Sequence, residues 1–376
     1  MYSDLDLDLR PGDGVGNFVL GASLWTVIEF LRSNTALFPQ VELKYDPDAS
    51  ATPIIIHVRP HIDLLFSPAH QRLHTIALRN FHDHPPLTLR YKDKVLASPD
   101  SDLKRVDVNL AFGPTYPGDD LIYPGVRFFF SDDVSKAPNN RQDRTQNVKR
   151  ILVSQSDADP NVSPRDPLGE VQVCAAMDDE LAEAVARVHD GVTLRFYPDV
   201  KQIVRVRLGV TTAQDLLCDL GPPLRTFYKE DDRMSIHSRT RSADEEGVEP
   251  SYFYNYLHHG LDFLIADGTH VVKKIIMHTN VPGSPLFQRY KRCPWQIEGS
   301  PEDDEDDSPP RVRFHDRVDV ISRFLSPGGA PPSMNFDRTV GEDTLTLPTP
   351  ITRLLGFDGV ILEATQAAQV VSVTLF

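Results

Sequence analysis

The glycines of GDGVG at 12–16 have the composition of a phosphate-binding turn. A phosphate cradle needs a strand, the glycines, and then a helix whose N-terminus faces the anion. Here a strand-like NFVL follows and no lysine does, so the stretch reads as a turn between strands. His70, His74, His82 and His84 offer imidazoles for a metal. His70 and His74 share one side of a strand-like stretch, and no third ligand stands at a fixed spacing, so no metal or other cofactor is expected. His258 and His259 would point to opposite faces of a strand, which disfavours joint ligation. The carboxylates of PEDDEDD at 301–307 are too crowded and too solvated to work as a tuned acid–base pair. Ser300 and Ser308 flank them in a setting suited to phosphorylation. Cys218 lies among leucines and reads as an inert packed thiol; Lys291 and Arg292 beside Cys293 favour a thiolate there, but a lone basic neighbourhood is too weak a signal to make it reactive, and it too reads as a buried thiol. The densest aromatic stretch is YFYNYLHHG at 252–260. In a strand, Tyr252, Tyr254 and Tyr256 share one face, either packing against a neighbouring element or offering a partner rigid contact area.

These residues sit in a chain of 376, long enough for two or three domains, with a hydrophobic fraction of 40% to build cores. Lys and Arg total 39 against 54 Asp and Glu, a formal net charge of -15. That balance disfavours nucleic acid and bare attraction to anionic lipid, although it leaves room for a small basic face. The cysteines 174, 218 and 293 stand at neither metal nor disulfide-framework spacing, which fits a reducing compartment. The acidic start has no charged-then-apolar leader, and no apolar run approaches the length of a membrane span.

The chain carries one rhythm twice. HIDLLFSPAHQRLHTIALRN at 61–80 aligns with 259–280 at an offset of 199, so that Asp63 meets Asp262, Leu73 meets Val272 and Ile76 meets Ile275. Each hairpin is preceded by Leu-Gly, a Ser or Thr and a helical pattern, with Ser23 and Thr211 as the natural N-caps. RVDVNLAF at 105–112 recurs as RVDVISRF at 317–324, and YPGVRFFF at 123–130 as FDGVILEA at 357–364. The expected fold is therefore α+β: tandem units of a short helix followed by antiparallel hairpins, with the helices packed on antiparallel sheets. The first domain covers 1–135 and the second 189–376. An insert at 136–188 holds polar loops and a helix over 178–188. The polar stretches at 238–251 and 298–310 read as mobile loops.

One region carries a resemblance. LGPPLRTFYKEDDRMSIHS, then YFYNYLHHGLDFLIADGTHVVKKIIMHTN, then YKRCPW, together within 220–295, resemble the phagosome assembly factor family, once catalogued as a Lin-10-like group. LGASLWTVIEFL, HQRL, FGPTYPG and the closing VVSVTLF extend the likeness along the chain, while 136–188 and 298–310 depart from the animal pattern. The positions that match the motif are Phe227, Tyr228, Lys229, His237, Tyr252, Asn255, Tyr256, Gly260, Asp262, Asp267, His278, Thr279 and Asn280, and Tyr254 lies among them. The resemblance implies a non-enzymatic cytoplasmic adaptor in autophagy. Such an adaptor binds a β-propeller protein with WD-like repeats, reaches phosphoinositide membranes through it and gathers at the forming phagophore. The alternatives are a Golgi- or endosome-linked trafficking factor, which the family suggests, or a direct lipid-binding module; an unrecognised hydrolase ranks below both, since the sequence shows no ordered nucleophile–base pair. The unit also resembles the protein-binding modules of β-lactamase inhibitor proteins. No catalytic, cofactor or metal residue is implied.

Overall fold

The computed structural model describes residues 5–46, 52–83, 86–115, 118–130, 146–156, 169–198, 203–228, 250–299, 309–329, 331–338 and 351–376. Lys229, His237, His84, the acidic run and most of the expected loops fall outside these residues. The described chain is mostly β-sheet with four helices, and it divides into two compact units, Met1–Met177 and Asp178–Phe376.

In the first unit the strands are β1 (Leu5–Arg10), β2 (Gly14–Val15), β3 (Phe18–Val19), β4 (Val41–Lys44), β5 (Ile54–Val58), β6 (Ile62–Phe66), β7 (Leu73–Arg79), β8 (Leu87–Tyr91), β9 (Lys94–Ala97), β10 (Leu121–Tyr123), β11 (Val126–Phe130) and β12 (Val148–Ser154). Helix α1 (Leu24–Ser33) follows β3, and α2 (Arg105–Phe112) follows β9. A five-stranded sheet runs β3-β2-β1-β8-β9 and a seven-stranded one β10-β11-β12-β7-β6-β5-β4.

The second unit has β13 (Leu181–Arg187), β14 (Gly191–Phe196), β15 (Ile203–Arg207), β16 (Arg225–Tyr228), β17 (Ser251–Tyr256), β18 (Leu261–Ala266), β19 (Val272–His278), β20 (Trp295–Glu298), β21 (Arg311–Arg313), β22 (Ser333–Asp337), β23 (Ile351–Phe357), β24 (Val360–Ala364) and β25 (Val370–Leu375). Helix α3 (Ala213–Leu220) follows β15, and α4 (Val318–Leu325) follows β21. Its sheets run β15-β14-β13-β20-β21 and β16-β17-β18-β19-β25-β24-β23-β22. Traced along the chain, this is the order of the first unit with one edge strand, β22, added.

Local chemistry explains the shared path. Alternation gives β5 and β6 buried Ile54, Ile56, Val58, Ile62, Leu64 and Phe66 on one face. Helix α1 buries Leu24, Val27, Ile28 and Leu31 at helical spacing, and Ser23 caps it by accepting from the Thr26 N–H. Each of the four described helices starts at a residue in an isolated antiparallel bridge: Ser23 with Arg72, Lys104 with Asn147, Thr212 with Val271 and Arg317 with Gln369. Gly221 ends α3 with φ of 75°.

Several expectations need correction. The cap of α3 is Thr212, in a capping box with Asp215, while Thr211 accepts from the Arg207 N–H one turn earlier. The helix expected over 178–188 is strand β13, because its Ala- and Glu-rich sequence is paired on both sides, with β14 and β20. Each five-stranded sheet also holds a parallel pair, β1 with β8 and β13 with β20, so the sheets are not purely antiparallel.

Candidate functional site

Five residues of the family-like motif, Tyr252, Asn255, Tyr256, Asp262 and His278, lie on β17, β18 and β19. Asp262 on β18 is buried, at 4% exposure. Its Oδ1 accepts from Asn255 Nδ2 at 2.7 Å, and its Oδ2 from His278 Nε2 and the Tyr290 hydroxyl, each at 2.8 Å. Register explains the first contact, since Asn255 stands directly opposite Asp262. The Tyr290 ring stacks on His278 at 3.7 Å between centroids, and burial followed by Asp262 pushes the Tyr290 phenol pKa up. The segment after β19 is fastened by its own side chains. Trp295 Nε1 donates to Thr279 Oγ1 at 2.9 Å, Arg292 Nε to the Thr279 carbonyl at 2.8 Å, and the Gln288 N–H to Asn280 Oδ1 at 2.9 Å.

A second buried polar group lies on the same sheet. Glu363 on β24 is 3% exposed and accepts from Arg338 through both oxygens at 2.8 and 2.7 Å. Thr352 and Ser372 complete it at 2.8 and 3.0 Å. Burial raises the Glu363 pKa, but the Arg338 guanidinium and the two hydroxyls outweigh it, and the carboxyl titrates below its ordinary range. In the first unit, Asp63 on β6 accepts from Arg79 Nη2 at 2.9 Å and contacts His57 Nδ1 on β5.

These groups resemble catalytic parts but are committed elsewhere. Asp262 spends its acceptors on three donors, from β17, β19 and the 279–294 segment, and so ties all three to β18. Cys293 is fully buried, and burial pushes its thiol pKa up, so the basic neighbours Lys291 and Arg292 do not make it a reactive thiolate. Lys291 instead pairs with Glu180 at 2.6 Å. Cys218, expected to be packed, is exposed. His258 and His259 lie in a turn, not a strand, with ring centroids 4.0 Å apart. Burial first, then His258 and Lys291, lowers His259 to a pKa of about 3. Among the described residues no group of three or more His, Cys, Asp or Glu side chains is placed to hold a metal ion. Among the described residues no helix is long and apolar enough to cross a membrane.

The tyrosine ladder divides. Tyr256 is fully buried and donates to the Gly221 carbonyl at 2.8 Å, so it braces the end of α3. Tyr252 is 6% exposed, with its hydroxyl 3.0 Å from His270 Nδ1. Burial, reinforced by Tyr254, raises Tyr252 to a pKa of about 12. Tyr254 is half-buried. The exposed members are Phe227 and Tyr228 on edge strand β16, at 45% and 66%. Gly260 (φ 70°) and Asp267 both lie in turns, and Asn280 adopts φ of 50°. Tyr290 and the Glu363 group were not singled out by sequence reasoning. A carboxylate inside the apolar run VILEA was the available signal for Glu363.

The buried carboxylates Asp262 and Glu363 are held by donors from other strands and segments, and these bonds fasten the sheet. The family profile described as phagosome assembly factor 1 matches residues 14–376, and the chain belongs to that family. A PHAF1 protein of Arabidopsis thaliana is 27% identical, the alignment covering 98% of this chain and 92% of the relative. PHAF1 proteins of Drosophila melanogaster and Caenorhabditis elegans are each 26% identical, over 99% and 96% of this chain and 94% and 90% of theirs. None of these names carries an enzymatic activity. No solved structure matches the chain at the same standard.

Proposed function

We propose that the chain is a non-enzymatic adaptor of phagosome and autophagosome assembly, which docks a β-propeller autophagy protein and is recruited with it to the forming phagophore. The family match across both units carries the proposal. It is supported by the buried Asp262 and Glu363 groups, whose acceptors are taken up by neighbouring donors. The docking surface we propose is β16, where Phe227 and Tyr228 stand exposed beside Phe253 and Tyr252 at ring separations of 6.5 and 5.6 Å. Such aromatic side chains supply contact area at low entropic cost. Lys229 and His237, next along the chain, are included as motif positions. Membrane contact, in this reading, comes through the partner.

We also propose that the two units descend from one duplicated module, of the protein-binding kind resembling β-lactamase inhibitor proteins. The matching strand orders support this. The test of function is co-purification of the chain with its β-propeller partner from source cells. Phe227→Ala with Tyr228→Ala is expected to abolish recovery while the Tm stays within about 2 °C, as for surface substitutions. Undiminished recovery by that variant contradicts this docking surface.

A further inference from the structure

The five-stranded sheet of the second unit carries an arginine face. Cross-strand register places Arg187, Gly191 and Arg207 in one row, with Glu298 and Arg311 continuing it. The next row holds Val185, Thr193, Arg205, Gln296 and Arg313, and the third Glu183, Arg195 and Ile203. Six guanidiniums thus share a face with two carboxylates, in a chain whose net charge is -15. The alternation is strict. Val204, Val206 and Val312 are buried behind Arg205, Arg207, Arg311 and Arg313, which are exposed.

Both carboxylates are already clamped. Glu298 is held by Arg187 at 2.7 Å and Arg311 at 2.6 Å, and Glu183 by Arg195 at 3.1 Å and Arg311 at 3.6 Å. Burial raises the Glu298 pKa, but the two arginines outweigh it and hold the carboxyl below its ordinary range. Arg205, Arg207 and Arg313 make no ion pair with any described residue. Arg195 Nε is buried without a hydrogen-bond partner among them.

Charge on edge strands guards against aggregation, and β15 and β21 are edges. That role does not require a single sign, nor does it reach Arg187 and Arg195 on the inner strands β13 and β14. The sheet at the same place in the first unit differs: Asp6, Asp8, Thr88 and Arg90 stand there, with Arg90 paired to Asp6 at 2.9 Å.

We propose that this face binds an acidic polypeptide segment, laid in extended form along β15 so that alternate carboxylates meet Arg205 and Arg207. Residues two apart in a strand project to one side, so an extended acidic chain matches the spacing of these arginines. The face already demonstrates the chemistry, since its own glutamates are each bracketed by arginines from neighbouring strands, and guanidinium forks suit planar carboxylates. A hollow of about 590 Å³ opens over this face: Arg187, Thr193, Arg205 and Arg207 line its sheet side and Asp190, Asp215 and Asp219 line the rest, so an acidic segment meets cations only along the sheet. This site goes beyond the β16 docking surface and does not depend on it.

The test is fluorescence anisotropy of the full chain with a labelled peptide of alternating Glu and Gly. Arg205→Glu with Arg207→Glu is expected to weaken binding at least about ten-fold, and added salt to weaken the wild type. The charge-matched control is Lys92→Glu with Lys94→Glu on the first unit, where both lysines are exposed, and it is expected to bind as the wild type does. Far-ultraviolet circular dichroism and Tm establish that both variants are folded. Equal weakening in both variants, or no weakening in either, overturns the proposal. So does binding to phosphatidylserine vesicles or duplex DNA with no binding to the peptide.

Discussion

His259 shows how far burial, helped by the neighbouring His258 and Lys291, sets a residue's chemistry here. It packs against Phe196 and Tyr256 and is held neutral. Its folded pKa, about 3, lies below the ordinary unfolded value of about 6.5. The unfolded chain therefore binds the extra proton first, and stability present above about pH 6.5 is lost progressively as pH falls. His259→Phe is expected to flatten the Tm-against-pH curve between pH 7 and 5, and an unchanged slope would assign the acid sensitivity to other groups. Tyr256 belongs to the core by the same measure. Tyr256→Ala is expected to cost about 3–5 kcal/mol in denaturant unfolding, and Tyr256→Phe, which loses the hydroxyl's bonds to the Gly221 and Leu216 carbonyls, about 1 kcal/mol. These side chains were visible in the sequence as an aromatic stripe. Which of them were buried was not, because that depends on where α3 ends against the sheet.

At the scale of elements, the hairpin β6–β7 and its counterpart β18–β19 were legible, since their apolar positions coincide at one offset and period two leaves one face to bury. Strand β13 was not legible. Its Leu, Ala and Glu favour a helix in isolation, and only pairing with β20, more than a hundred residues later, makes it a strand. The Asp262 and Glu363 groups were hidden for a similar reason, as Tyr290 and Arg338 reach them from distant segments. The Glu363 group gives a test at this scale. Arg338→Ala strands a buried carboxylate and is expected to cost about 3–5 kcal/mol, most of it recovered by Glu363→Gln in the same chain. A double variant no more stable than Arg338→Ala alone would mean that Arg338 acts through packing. Gly260 supplies another. Its φ of 70° and the close approach of the Lys291 carbonyl leave no room for a side chain. Gly260→Ala should speed proteolysis in the 279–294 segment, and unchanged cleavage would show that this turn does not hold the segment.

For the whole molecule, composition averages away local detail. A net charge of -15 argues against anionic partners, yet it coexists with six arginines on one sheet face, announced only by the short alternations VRVR and RVR. The family likeness was legible because its motif residues, Asn255, Asp262, His278 and Asn280, hold the strands and the following segment in place. Those positions hold the strands together, whereas the exposed Phe227 and Tyr228 form the docking surface we propose. The account therefore turns on whether the scaffold binds through its surface. The most direct measurement is the Kd of the purified chain for its purified β-propeller partner, with the wild type and the Phe227→Ala, Tyr228→Ala variant compared at matched Tm. The account predicts saturable binding that the variant loses by at least about ten-fold, as for paired aromatic hot spots. Equal affinity in the two proteins, or no binding by the wild type, would contradict it.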